Sequence, residues 1–154
     1  MKKILLLMLL SAFTATLYGQ SCNGFNKTKG CTRFNVEGYN VYGQSTNALL
    51  LADSTYRYSV VLFGGKEYRV SFCADREFYP IHFRLINAKT NEVTYDNETD
   101  KYVESVGFAV NDTRQIIIEV TLMPKKQDYQ TFSDRTSCVG ILIQWNKIPS
   151  IGFK

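Results

Sequence analysis

The sequence has one histidine, no helical periodicity of useful length and no second long apolar run, and each lack removes a class of function. A general base or metal ligand needs a partner, and His82 stands between Ile81 and Phe83 on the polar side of an alternating run, which reads as an ordinary exposed or half-buried strand histidine. No Gly-x-Ser-x-Gly elbow precedes a helix, so a serine hydrolase has no support. No Cys-x-x-Cys pair occurs, which removes the signatures of zinc ribbons and thioredoxin-like redox centres. Past the N-terminus no apolar stretch approaches membrane-spanning length. Basic residues are scattered, with Lys125 and Lys126 the densest group, so nucleic acid is not an expected partner.

The N-terminus is built differently. Lys2 and Lys3 precede an apolar run over residues 4–10, and a more polar stretch ends on Gly19. This is the pattern of a secretory signal peptide, residues 1–19, with cleavage before Gln20 and Ala15 as the alternative end. Lipidation of Cys22 is not expected, because the residues ahead of it lack the lipobox pattern. Removing residues 1–19 takes two lysines and no acid, leaving 16 Lys+Arg against 14 Asp+Glu and a net charge of +2. The remaining residues, 20–154, have the length of one domain in a secreted, periplasmic or outer-surface protein.

Four cysteines remain, Cys22, Cys31, Cys73 and Cys138. In an oxidising compartment an even count reads as two disulfides. Three pairings are possible, and the expected one joins Cys22–Cys31 as a short loop and Cys73–Cys138 between two strands.

What fills the chain is two-residue alternation. Tyr68, Val70 and Phe72 alternate with Arg69, Ser71 and Cys73, and Ile81, Phe83 and Leu85 alternate with His82 and Arg84. Side chains of a pleated strand point alternately to opposite faces, so each run buries one face. Gly64-Gly65 between residues 56–63 and 67–73 predicts a hairpin. Residues 33–42 predict an edge strand, and Leu49, Leu50 and Leu51 a short buried strand or a helical turn. Further strands are expected at 93–95, 106–110, 115–123 and 139–145, with a polar connection over 125–137. About seven or eight short strands with Gly, Asn and Asp turns predict an all-β fold, a single antiparallel β-sandwich of jelly-roll type.

The stretch Leu62-Phe63-Gly64-Gly65-Lys66-Glu67-Tyr68-Arg69-Val70 resembles the strand–glycine–aromatic–strand unit of bacterial pre-peptidase C-terminal domains, which are jelly-roll β-sandwiches. Residues 83–90, 113–120 and 140–143 are similar to their later strands, so the resemblance covers residues 56–145. The four cysteines are not part of that pattern, and no peptidase is attached. The resemblance implies an accessory, ligand-binding role; function itself must come from a site.

Two candidate sites follow. Ten Tyr and ten Phe are present with one Trp, and Tyr39, Tyr42, Tyr79, Tyr102 and Tyr129 do not fall on buried faces. Such rings, beside Asn, Gln or Asp, can stack on sugars or anchor a protein interface. Asp96, Glu98 and Asp100 alternate on a loop and are the expected ligands if calcium binds, since calcium takes several oxygens; no other cofactor is expected. Three Asn-x-Thr matches, at Asn26, Asn97 and Asn111, are assigned no function. The expected function is a secreted, non-catalytic module at the cell envelope binding carbohydrate or a protein ligand. The alternative is an assembly subunit acting through an edge strand.

Overall fold

The computed structural model describes residues 22–27, 30–123 and 136–148. Nine strands are present among them: β1 (Asn40–Val41), β2 (Thr46–Leu51), β3 (Thr55–Leu62), β4 (Lys66–Cys73), β5 (Ile81–Asn87), β6 (Val93–Asp96), β7 (Ser105–Val110), β8 (Arg114–Leu122) and β9 (Thr136–Lys147). One sheet runs β1/β2–β9–β4–β7 and the other β3–β8–β5–β6, with every pair antiparallel. β1 and β2 pair with the same strand and form one interrupted edge, so the five-stranded first sheet is four strands wide and matches the four-stranded second sheet. From β2 to β5 the chain changes layer at every connection, which is jelly-roll topology.

The alternating residues meet between the layers. Phe72 and Phe83, one from each sheet, stack with ring centroids 4.0 Å apart, and Tyr68, Ile118, Leu122 and Ile141 are fully buried around them. Burial of the Tyr42, Tyr58, Tyr68 and Tyr79 rings holds their phenols above the ordinary value of 10.0. A raised folded-state pKa gives stability that is complete below pH 10 and lost as pH rises through the folded value. Stability is therefore expected to fall as pH rises above about 10, so that the melting temperature drops as phenolate absorbance appears. Smooth titration of all tyrosines in an intact fold would count against this packing.

Three expectations are corrected. Residues 56–63 and 67–73 form no hairpin: β3 pairs with β8 in one layer and β4 with β9 and β7 in the other. Alternation shows that a face is buried, not which layer carries it. Gly64-Gly65 is instead an arch between layers. Gly65 takes a φ of +72°, and a Cβ at Gly64 would lie 2.4 Å from the Asn111 carbonyl oxygen.

Residues 33–42 are not a continuous strand, since only Asn40–Val41 pairs. Phe34 and Val36 lie over the outer face of the first sheet, where the buried Gln144 amide donates to the Phe34 carbonyl at 2.8 Å and accepts from Val36 N–H at 3.3 Å.

The disulfides are Cys22–Cys138 and Cys31–Cys73, not Cys22–Cys31 and Cys73–Cys138. Cys73 lies opposite Gly140, so Cys138 is a diagonal neighbour, about 7–8 Å away in such ladders and beyond disulfide reach. Both strand cysteines point outward and each takes a partner from the overlying segment. That segment seals the outer face of the first sheet: Cys31, Cys73 and Leu142 form a second small core with Phe25 and Phe34 against it. Gly140 makes the close approach possible, because a Cβ there would lie 2.6 Å from the Cys73 sulfur and 2.7 Å from that of Cys31.

Leu49, Leu50 and Leu51 belong to β2, with only Leu50 buried. No helix among the described residues is long and apolar enough to cross a membrane. The signal peptide and most of the 125–137 connection lie outside the described residues.

Candidate functional site

The two long sides of the sandwich differ. Along β2 and β3 the layers are laced together: the Tyr42 hydroxyl donates to the Val61 carbonyl at 2.6 Å, the Tyr58 hydroxyl to the Gln44 carbonyl at 2.8 Å, and Val61 N–H to Gln44 Oε1 at 3.0 Å. Ser45 fills the interruption between β1 and β2, donating to the Tyr42 carbonyl and accepting from Ile143 N–H.

On the opposite side, β6 and β7 end their sheets with no further strand beyond them among the described residues. Here the layers part around a cleft of about 430 Å³. Its walls are Leu85, Tyr95, Val106, Phe108 and Ile116, and its polar residues are Asn87, Thr94 and Arg114. A neighbouring hollow shares Asn87 and Arg114 and adds Lys89 and Asp112. Arg114 makes no ion pair within 4.0 Å among the described residues; its Nε donates to the Asp112 carbonyl at 3.3 Å. An apolar body with few polar groups is the usual composition of a ligand pocket of this size.

The outer face of the second sheet is open and charged in rows. Register places Arg57 of β3, Glu119 of β8, Arg84 of β5 and Asp96 of β6 side by side. Glu119, whose side chain is only 8% exposed, receives Arg57 Nε at 3.0 Å and Arg84 Nε at 2.8 Å, with Arg84 Nη2 closing the fork. Such opposite-charge cross-strand pairs stabilise a sheet. One position along, His82 Nε2 meets Asp96 Oδ1 at 2.9 Å.

Asp96 also caps the short 3-10 turn Asn97–Asp100 by accepting Glu98 N–H at 2.9 Å. Burial raises the Asp96 carboxyl, but the Glu98 N–H, the His82 bond and the charges of His82 and Arg84 outweigh it and hold it below the ordinary carboxylate value. His82 is thus a half-buried strand histidine, as its position implies, with a carboxylate partner that sequence reading missed. Register between β5 and β6 was the missing signal.

The five tyrosines separate. Tyr39 donates to Glu67. Tyr42 packs edge-on against Tyr68 and Phe63. The Tyr79 hydroxyl accepts from Arg33 at 2.8 Å and Ala74 N–H at 3.2 Å. Tyr102 stands edge-on to His82 at 6.0 Å, and Tyr129 lies outside the described residues. Nor do the three acids converge. Asp100 accepts the Tyr95 hydroxyl at 3.2 Å, while Asp96 and Glu98 gather with His82, their potential ligand atoms all within 4.8 Å of one another.

No protein-family model matches the chain, and no curated protein matches it. Among solved structures, the periplasmic inhibitor of g-type lysozyme PliG from Aeromonas hydrophila aligns with a TM-score of 0.47 and 11% identity, over 73% of this chain and 91% of that one.

Proposed function

We propose that this chain is a secreted, non-catalytic binding module for a protein ligand, which it engages at the β6–β7 side of the sandwich. The cleft is the observation that carries the reading: a mostly apolar hollow of about 430 Å³ lies between two strand edges with no strand partner among the described residues. An extended segment can add its backbone to such an edge while one side chain enters a pocket. The lining suits an apolar side chain, and Arg114 with Lys89 at the mouth suits a neighbouring carboxylate. Two disulfides suit the oxidising compartment to which the signal peptide would deliver the chain.

Two surface substitutions test it. Arg114→Glu reverses the charge at the mouth, and Thr94→Trp fills it from an exposed position. Each is expected to weaken capture of an envelope protein at least about tenfold; Arg114→Glu should leave the melting temperature unchanged, whereas Thr94→Trp also removes the 2.9 Å bond from the Thr94 hydroxyl to the Leu85 carbonyl and should lower it slightly. Equal capture by wild type and both variants would move the interface elsewhere. Retention of polysaccharide instead of protein, sensitive to the same variants, would keep the cleft and replace the ligand class.

A further inference from the structure

We propose that His82, Asp96 and Glu98 form a binding site for a divalent d-block cation, with zinc as the reference ion. The site is separate from the cleft, none of whose lining residues it shares.

Donor chemistry selects the ion. One imidazole nitrogen and two carboxylates suit zinc and its neighbours, whereas calcium takes six or more oxygens. The acids that alternate in sequence would have been an all-oxygen set, but the fold turns Asp100 toward Tyr95 and puts His82 in its place.

Geometry is close to what the ion needs. In a tetrahedral zinc site, bonds of about 2.0–2.1 Å put ligand atoms about 3.3 Å apart. Here His82 Nε2 and Asp96 Oδ1 are 2.9 Å apart, and all three groups lie within 4.8 Å. Small side-chain rotations open room for the ion, and three protein ligands leave a fourth position for water or a donor from a bound partner.

The framework is rigid where it matters. His82 projects from a central strand of its sheet, and the Tyr102 ring stands against its imidazole. Asp96 is fixed by the Glu98 N–H, and the turn carrying Glu98 is held by the buried side chain of Asn97.

Charge bookkeeping favours a cation as well. Arg84 lies opposite Asp96 in register, but its guanidinium is turned to Glu119, which Arg57 also holds. Among the described residues neither Asp96 nor Glu98 has a Lys or Arg within ion-pair distance. Two carboxylates together carry the charge that one divalent ion balances.

Because the chain holds a single histidine, its imidazole signals are unambiguous in a tag-free preparation. Titrating the full chain with zinc chloride should shift the His82 nitrogen resonances to saturation at stoichiometric metal, while calcium and magnesium leave them in place. Glu98→Gln alters an exposed side chain and should weaken the apparent affinity at least about tenfold with no loss of fold; His82→Ala should abolish binding. Unmoved His82 resonances under excess zinc would show that the cluster is an ion pair and nothing more. Equal zinc affinity in wild type and Glu98→Gln would also overturn the site, and a response to calcium would overturn the ion assignment.

Discussion

Replacing Cys31 and Cys73 together with alanine is expected to destabilise the protein by about 4 kcal/mol, the chain-entropy value for a crosslink across a loop of this size. The two residues are 42 positions apart and the bridge is fully buried. At this chain length the loss corresponds to a fall in melting temperature of roughly 10–15 °C. Entropy is not the whole effect. The bridge holds Cys31 and its described neighbours, Phe25 and Phe34 among them, over β4 and β9, so its loss frees the cover of Leu142 and Gln144. Cys22–Cys138, spanning 116 positions, encloses the Cys31–Cys73 loop. The two contributions should therefore not add, because each crosslink already restricts the chain that the other closes. Calorimetry of the two double variants and the quadruple variant measures this directly. A Cys31→Ala/Cys73→Ala protein melting within a few degrees of wild type would mean that the cover is held by its other contacts. Peptide mapping under non-reducing conditions should recover the Cys22 peptide with Cys138 and the Cys31 peptide with Cys73.

The cysteines also mark where sequence reading stops. Period-two alternation located β4, β5, β8 and β9 within a few residues, because one buried face per strand leaves a local trace. It placed Cys73, Ser71 and Arg69 correctly on the face away from the sandwich core. It could not say that this outer face is itself covered, since the cover comes from two short 3-10 turns, Phe25–Lys27 and Thr32–Phe34, about forty residues upstream. Gly64-Gly65 misled for a related reason: a glycine pair allows a reversal within a sheet or an arch between sheets, and only long-range pairing decides. The candidate sites were less legible still. His82 and Asp96 are fourteen residues apart, and their meeting depends on a β5–β6 register that shifts at Leu85 and Ile86. The cleft exists because two sheet edges come to the same side of the molecule, which is a property of topology alone.

Asn97→Ala is expected to cost roughly 3–5 kcal/mol, since it strips partners from several buried backbone groups at about 1–3 kcal/mol each. Sequence places this residue in a solvated acidic turn, yet its side chain is fully buried. Its Oδ1 accepts Phe83 N–H at 2.9 Å, and its Nδ2 donates to the carbonyls of Ile81 at 2.9 Å and Val103 at 3.0 Å. Backbone pairing between β5 and β6 reaches Arg84 opposite Asp96 and goes no further. The Asn97 amide therefore continues the ladder along β5 with a side chain in place of a strand. An amide is required, because the position needs one acceptor and a donor with two hydrogens. Asn97→Asp keeps the size but presents a carboxylate oxygen to two carbonyls, so it should be at least as damaging as alanine. Both variants should also release the turn that carries Glu98, weakening zinc binding together with stability, whereas Glu98→Gln weakens zinc binding alone. Thermal denaturation and the zinc titration on the same three proteins separate these effects. Were Asn97→Asp to melt with wild type, the buried amide would not be what ends the second sheet, and the positioning of Asp96 and Glu98 would have to come from the β6 backbone itself.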